Sequence, residues 1–274
     1  MLLLAFICGC VSYQRDVYAR PERLNESLFV NWFKNTWIFQ VQQFFDIDRD
    51  IRVLAGSYGE SREVDAEGNP PDSPLFTNRD IQSLTLDEVE RDPNREPPPA
   101  NPVTILKVKI TGSPGFLGRD ATRRLFLFKF DPPGYLELAT GAEIVGSRLT
   151  FALGYNVPQT FLTVVEGTRN PRFKSGRAVA SRIVPGEVFG FLRSSRFRHR
   201  REMRTLRLAY AFINNTDAKE LNTLAEWFQN RPHYYLIDFG SSLGSDTTCP
   251  KVPRLGWENR WDAEVALANF SLLG

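Results

Sequence analysis

Hard divalent cations take carboxylate and amide oxygens, and a loop that follows a buried strand holds such oxygens with little freedom. Asp238, after the apolar run Tyr235-Leu236-Ile237, and Asn222 before that run both meet this demand. Metal-assisted phosphate chemistry also needs a cation on the phosphates. Lys129 is the candidate, because it stands in the strand-like Leu127-Phe128-Lys129-Phe130, where a buried charge is costly unless it is paired. Gly112, Gly115 and Gly118 lie in Gly112-Ser113-Pro114-Gly115-Phe116-Leu117-Gly118 and would let backbone N–H groups approach a phosphate. A glycine-rich hairpin turn explains these glycines equally well. An ordinary turn residue before glycine is the plainer reading of Asp238 taken alone.

These residues need elements to position them. Val103 to Ile110 and Arg124 to Phe130 are strand-like, and Asp131-Pro132-Pro133-Gly134 stops the second. Leu138, Ala142, Val145, Leu149 and Ala152 recur at helical spacing, with Gly154 as a C-terminal cap. Strand-like runs follow at Gln159 to Val165 and Arg177 to Ile183, then Pro185-Gly186 as a turn or hinge. Arg200 to Ile213 carries Met203, Leu206, Tyr210 and Ile213 on one helical face and leads into the polar loop Asn214 to Lys219. Leu224 to Phe228 and Tyr234 to Ile237 predict a hairpin about Asn230-Arg231-Pro232, with Asp238 at its end.

The ordered set Lys129, Asp217-Ala218-Lys219-Glu220-Leu221-Asn222 and Asp238-Phe239-Gly240 resembles the protein-kinase-like superfamily. Leu153-Gly154-Tyr155-Asn156-Val157-Pro158 is similar to a turn of its atypical bacterial, HipA-like members. The resemblance implies an α+β, two-lobed kinase-like fold that binds ATP and magnesium. It pairs Lys129 with a glutamate on the following helix; Glu143 is preferred to its rival Glu137. It gives Asp217 the proton of the acceptor hydroxyl, and Asn222 and Asp238 the metal. Asn215-Thr216 stand where the family has His-Arg, which leaves the orientation of Asp217 without support in the sequence. No Ala-Pro-Glu follows Gly240, so a reduced C-terminal lobe is expected.

The composition is that of an ordinary globular protein, 42% apolar and 24% charged, which argues against fibrous, wholly disordered or polytopic membrane classes. A net charge of +2 gives no reason to expect a nucleic-acid partner. The one basic run, Arg193 to Arg207, reads as a solvated helix face with some pairs to acids. Cys8, Cys10 and Cys249 do not describe a disulfide framework or a zinc site, and His199 and His233 have no ligand partner at useful spacing. Neither a Gly-x-Ser-x-Gly elbow nor a His-Glu-x-x-His pair is present, so hydrolase chemistry has no support.

Leu2 to Ile7 is too short to span a bilayer. With Ile7-Cys8-Gly9-Cys10 it resembles a bacterial lipobox, which implies export and a lipid anchor at Cys10 in the envelope. A buried first strand in a cytoplasmic protein is the alternative. The expected division is a signal over 1–10, a helical extension over 11–55 with an aromatic packing helix from Asn25 to Ile47, and a Pro-rich linker over 56–102. A kinase-like domain follows over 103–274, its lobes meeting near 184. Two functions are therefore expected: a membrane-anchored phosphotransferase of unknown acceptor, or a catalytically silent kinase-like lipoprotein serving as a scaffold.

Overall fold

The structure, a computed structural model, describes residues 16–23, 63–91, 93–109, 113–166, 175–197, 199–215, 217–246 and 249–251, with a few isolated positions besides. Cys10, Gly112, the aromatic 25–47 stretch apart from Val30, and 263–274 lie outside the described residues. Among the described residues no helix is long and apolar enough to cross a membrane.

The architecture is mixed α/β, sheet-rich with few helices among the described residues. The first sheet contains β1 (Thr104–Val108), β2 (Gly115–Arg119), β3 (Leu125–Phe130), β4 (Thr160–Glu166) and β5 (Ser175–Arg182). Its order is β1-β2-β3-β5-β4, antiparallel throughout. Because side chains alternate along a strand, Phe126, Phe128 and Phe130 of β3 share one face and pack with Phe116, Phe161, Phe173, Ala178 and Ala180. The Phe116 and Phe128 rings stack at 4.9 Å. Each buried phenylalanine contributes about 1.5–3 kcal/mol. The same alternation turns Leu127 and Lys129 to the opposite face.

Helix α2 (Leu138–Ala152) connects β3 to β4. Its C-terminus closes as the glycine predicts: Gly154 has φ +104°, its N–H donates to Phe151 O at 2.9 Å and the Tyr155 N–H to Thr150 O at 3.2 Å. The face it buries is not the expected stripe. Val145 is exposed, while Ala139, Thr140, Ala142, Glu143, Gly146, Ser147, Thr150 and Phe151 are buried. The reason is close approach rather than apolar bulk: a Cβ on Gly146 would lie 2.9 Å from the Cβ of Phe239. Small side chains let α2 lie directly on the Phe239–Ser241 turn.

The second sheet contains β6 (Glu187–Gly190), β7 (Thr223–Phe228) and β8 (Arg231–Leu236) in that order. The β7–β8 turn is at Gln229 and Asn230, both at positive φ (50° and 61°), as a two-residue hairpin requires. It therefore precedes the predicted position, and Pro232 pairs with Trp227 inside the ladder. Proline is tolerated because β8 is an edge strand. Helix α4 (Arg201–Phe212), reached through the short α3 (Ser194–Phe197), buries Met203, Leu206 and Tyr210 as its spacing predicts. Ile213 follows the helix and is buried too, and all four join Ala225, Tyr234, Leu236 and Phe239 in one core.

The segment before β1 wraps this body. Leu75 is buried, Phe76 meets Tyr155 edge-on at 5.5 Å, and Asn94 exchanges two 2.8 Å hydrogen bonds with Thr160. Its short helix α1 (Leu86–Arg91) starts with the predicted capping box, in which Glu88 Oε2 accepts from the Thr85 N–H at 2.8 Å. The basic run is not a uniformly solvated face. Arg201 and Arg204 are exposed, but Arg200 is only 2% exposed and pairs with buried Glu202 and with Glu63.

Candidate active site

Strand register assembles the site from both sheets. Thr223 pairs with Leu236, so Asn222 and Ile237 face each other at the open end of the hairpin, where Ile237 N–H donates to Asn222 O at 2.9 Å. Asp238 follows at once, in the left-handed region (φ 65°, ψ 64°), which turns the chain into the Phe239–Ser241 helical turn under α2. Lys129 reaches it from β3. Its Nζ lies 2.9 Å from Glu143 Oε2 and 2.9 Å from Asp238 Oδ1.

The Lys129–Glu143 geometry depends on a residue the sequence reading missed. Asp131 caps α2 from beyond Pro132-Pro133: Oδ1 accepts from the Ala139 and Thr140 N–H groups at 2.9 and 2.8 Å, and Oδ2 from the Glu137 N–H at 2.9 Å. The N-cap position itself is Glu137, whose side chain makes no capping hydrogen bond. Glu137 pairs with Arg177 instead, which leaves Glu143 as the partner of Lys129. A capping search that looks only at the residue next to the helix does not find Asp131.

Charge follows geometry. Burial pulls the Lys129 ammonium down, but Glu143 and Asp238 together outweigh it and hold its pKa above the usual lysine value. Lys129 in turn holds the Asp238 carboxyl below its ordinary range, against the opposing effect of burial. Asp217 is oriented after all. Asn222 Nδ2 donates to Asp217 O at 2.6 Å and Oδ2 at 2.8 Å, Lys219 Nζ pairs with Oδ1, and the Asp217 N–H donates to Asn215 Oδ1 at 3.0 Å. A second lysine ties the loops behind the site: Lys251 Nζ donates to Asn214 O, to Asn214 Oδ1 at 2.8 Å and to Ser241 O at 2.9 Å. Burial pushes its pKa down to about 8, with Asp246 and Asp217 opposing the shift.

The donor set suits a hard cation. With its amide nitrogen committed to Asp217, Asn222 presents its oxygen, and Asp238 keeps its second carboxylate oxygen beyond the Lys129 pair. Beside these groups opens a cavity of about 240 Å³. Leu127, Ile183, Val184, Val188, Leu224 and Ile237 give it apolar lining, and Lys129, Glu143 and Asp238 line it together with Thr160, Ser181 and Arg182. The Pro185-Gly186 bend, between the cavity-lining Val184 and Val188, is pinned by wholly buried Glu226, whose carboxylate accepts from the Gly186 N–H and, at 3.0 Å, from Tyr235 OH.

The structure thus brings Lys129, Glu143 and Asp238 into direct contact, and Asp217 and Asn222 into a second contact group at the same hairpin end. Gly115 and Gly118 lie within β2, where a Cβ would fall 2.3 Å from Phe128 O and 2.8 Å from the Phe116 ring respectively. Sheet packing alone therefore accounts for those two glycines.

No protein-family model matches the chain, and no curated protein matches it. Among solved structures, the crystal structure of a Helicobacter pylori proinflammatory kinase, CtkA, is similar at 15% identity with a TM-score of 0.35. The match covers 51% of this chain and 58% of that one, so the chain spans little more than half of that neighbour's length.

Proposed function

We propose that this chain is a two-lobed, kinase-like phosphotransferase that uses ATP and a divalent metal. The reading rests on one observation above the others: a buried lysine on β3 held at 2.9 Å by both a mid-helix glutamate and the aspartate of Asp238-Phe239-Gly240. A lysine so placed has full charge at any physiological pH and little rotational freedom, which is what a phosphate anchor needs. In this reading the apolar cavity takes the base, and Lys129 holds the phosphates with Glu143 fixing its position. Asn222 and Asp238 hold the metal, whose contribution when bound is to neutralise charge on the transferring phosphoryl group. Asp217, steadied by Asn222 and Lys219, accepts the proton of the acceptor hydroxyl. A phosphate-covering role for Gly112, the HipA-like affinity and a lipid anchor at Cys10 in the bacterial envelope belong to the same proposal.

The test is thermal unfolding with and without ATP and magnesium. Ligand at about 100 times its Kd stabilises the fold by about 2.7 kcal/mol, and Lys129→Met or Asp238→Asn should abolish that shift. A wild-type chain with no shift and no Asp238-dependent phosphate incorporation would sink the reading. Binding without incorporation would point to the silent scaffold instead. Mass spectrometry of the mature N-terminus tests the anchor; an unmodified Met1 would refute lipidation at Cys10.

A further inference from the structure

The register of the first sheet sets two lysines on either side of a glycine. Val108 pairs with Phe116, and the next position along carries Lys109 opposite Gly115, with the Lys109 N–H donating to Gly115 O at 2.9 Å. Gly115 in turn pairs with Lys129. Directly opposed residues of antiparallel strands present their side chains on the same face, so Lys109, Gly115 and Lys129 form one row across β2, on the face that carries the site. With strands about 4.8 Å apart, the two lysine backbones are separated by about 10 Å. Gly115 places no side chain between them, and the close approach of Phe128 O, 2.3 Å from where a Cβ would fall, keeps that position a glycine.

The two lysines differ in how their charge is met. Lys129 is neutralised by two carboxylates at 2.9 Å. Lys109 has no ion pair among the described residues, and its side chain has one hydrogen-bond contact among them, Ser113 Oγ at 3.5 Å. It is nevertheless half-buried, and the charges that act on it are those of the site: Lys129, Asp238, Glu143 and Asp217. Burial and, after it, Lys129 depress its pKa, and the attraction of Asp238, Glu143 and Asp217 opposes that shift without cancelling it. An anion lying between Lys109 and Lys129 would meet the rest of the cost of burying the Lys109 charge.

We propose that Lys109 is a second phosphate-binding cation of this site, bracketing the polyphosphate of a nucleotide against Lys129 across the side-chain-free position at Gly115. The inference rests on the nucleotide reading of the site and adds to it a residue that the sequence motifs do not single out. It specifies a ligand whose affinity depends on its phosphates at this end as well as on its base at the other.

The experiment is calorimetric titration of the whole chain with ATP, ADP and adenosine in magnesium, on wild type, Lys109→Ala and Lys109→Arg, with the unfolding temperature of each unliganded protein. A charge-assisted hydrogen bond to phosphate lost in Lys109→Ala should weaken ATP about tenfold or more. Adenosine should be unaffected, and Lys109→Arg should restore most of the ATP affinity. The unliganded Lys109→Ala protein should unfold at the same temperature or higher, since the substitution removes a like charge beside Lys129. Unchanged ATP affinity in Lys109→Ala, an equal loss for adenosine, or weaker binding that tracks a lowered unfolding temperature would overturn the proposal. If the wild type binds none of the three ligands, the nucleotide reading itself fails, and the proposal with it.

Discussion

The two halves of the site are held by different physics. On the five-stranded sheet, Lys129 is placed by its strand, and the strand is placed by the phenylalanine layer on its other face: Phe116, Phe126 and Phe128 are wholly buried. On the three-stranded side, the Pro185-Gly186 bend and the two loops are placed by buried polar groups. Glu226 is wholly buried and holds Gly186 and Tyr235, Asn222 holds Asp217, and Lys251 holds Asn214 and Ser241. Apolar packing is non-directional and insensitive to pH, whereas buried hydrogen bonds fix direction and fail when one partner changes. One side of the site should therefore resist changes of conditions, and the other should respond to them.

Three substitutions would break or sharpen that contrast. The largest effect is expected for Phe128→Ala, which opens a cavity in the aromatic layer and should cost about 3–5 kcal/mol in equilibrium unfolding. A loss below about 1 kcal/mol would mean that the layer does not hold the sheet. Next, Glu226→Ala leaves the Gly186 N–H and Tyr235 OH without their acceptor and should cost about 2–3 kcal/mol. It should also weaken nucleotide binding more than Phe128→Ala does at matched stability, because the Pro185-Gly186 bend lies between Val184 and Val188, which line the cavity. Equal binding in the two variants would remove the distinction between the halves.

The smallest effect concerns pH. The folded pKa of Lys251 is depressed to about 8 from an ordinary 10.5, so between those values the unfolded chain holds a proton that the folded chain has released. Stability attributable to this group therefore rises with pH across that window and is lowest below it. Relative to Lys251→Met, the wild type should gain on the order of 1 kcal/mol between pH 8 and 10, discounted for partial exposure. Denaturant unfolding of both proteins at the two pH values measures it; a flat difference would show that Lys251 titrates normally and is not held by the loops.

Legibility in the sequence follows the same division. The strands around Lys129, the α4 stripe, the Thr85–Glu88 capping box and the Gly154 terminus could be read because each has a local period or a local cap. The buried face of α2 could not, since burying Glu143 and Gly146 is decided by the turn that lies against them rather than by apolar spacing. Asp131 was missed because it caps from across two prolines. Lys109 was missed because its neighbours come from three strands.

By itself the sequence determined which residues could carry the chemistry: Lys129, Glu143, Asp217, Asn222 and Asp238, in an order that resembles one superfamily. It did so because residue type and spacing along a strand, helix or loop are local properties. The tertiary structure decided which of two glutamates meets Lys129, that Asn222 and Lys219 orient Asp217, and that Gly115 stands between two lysines. Those are distances between segments far apart in the chain, and only strand register and helix packing set them.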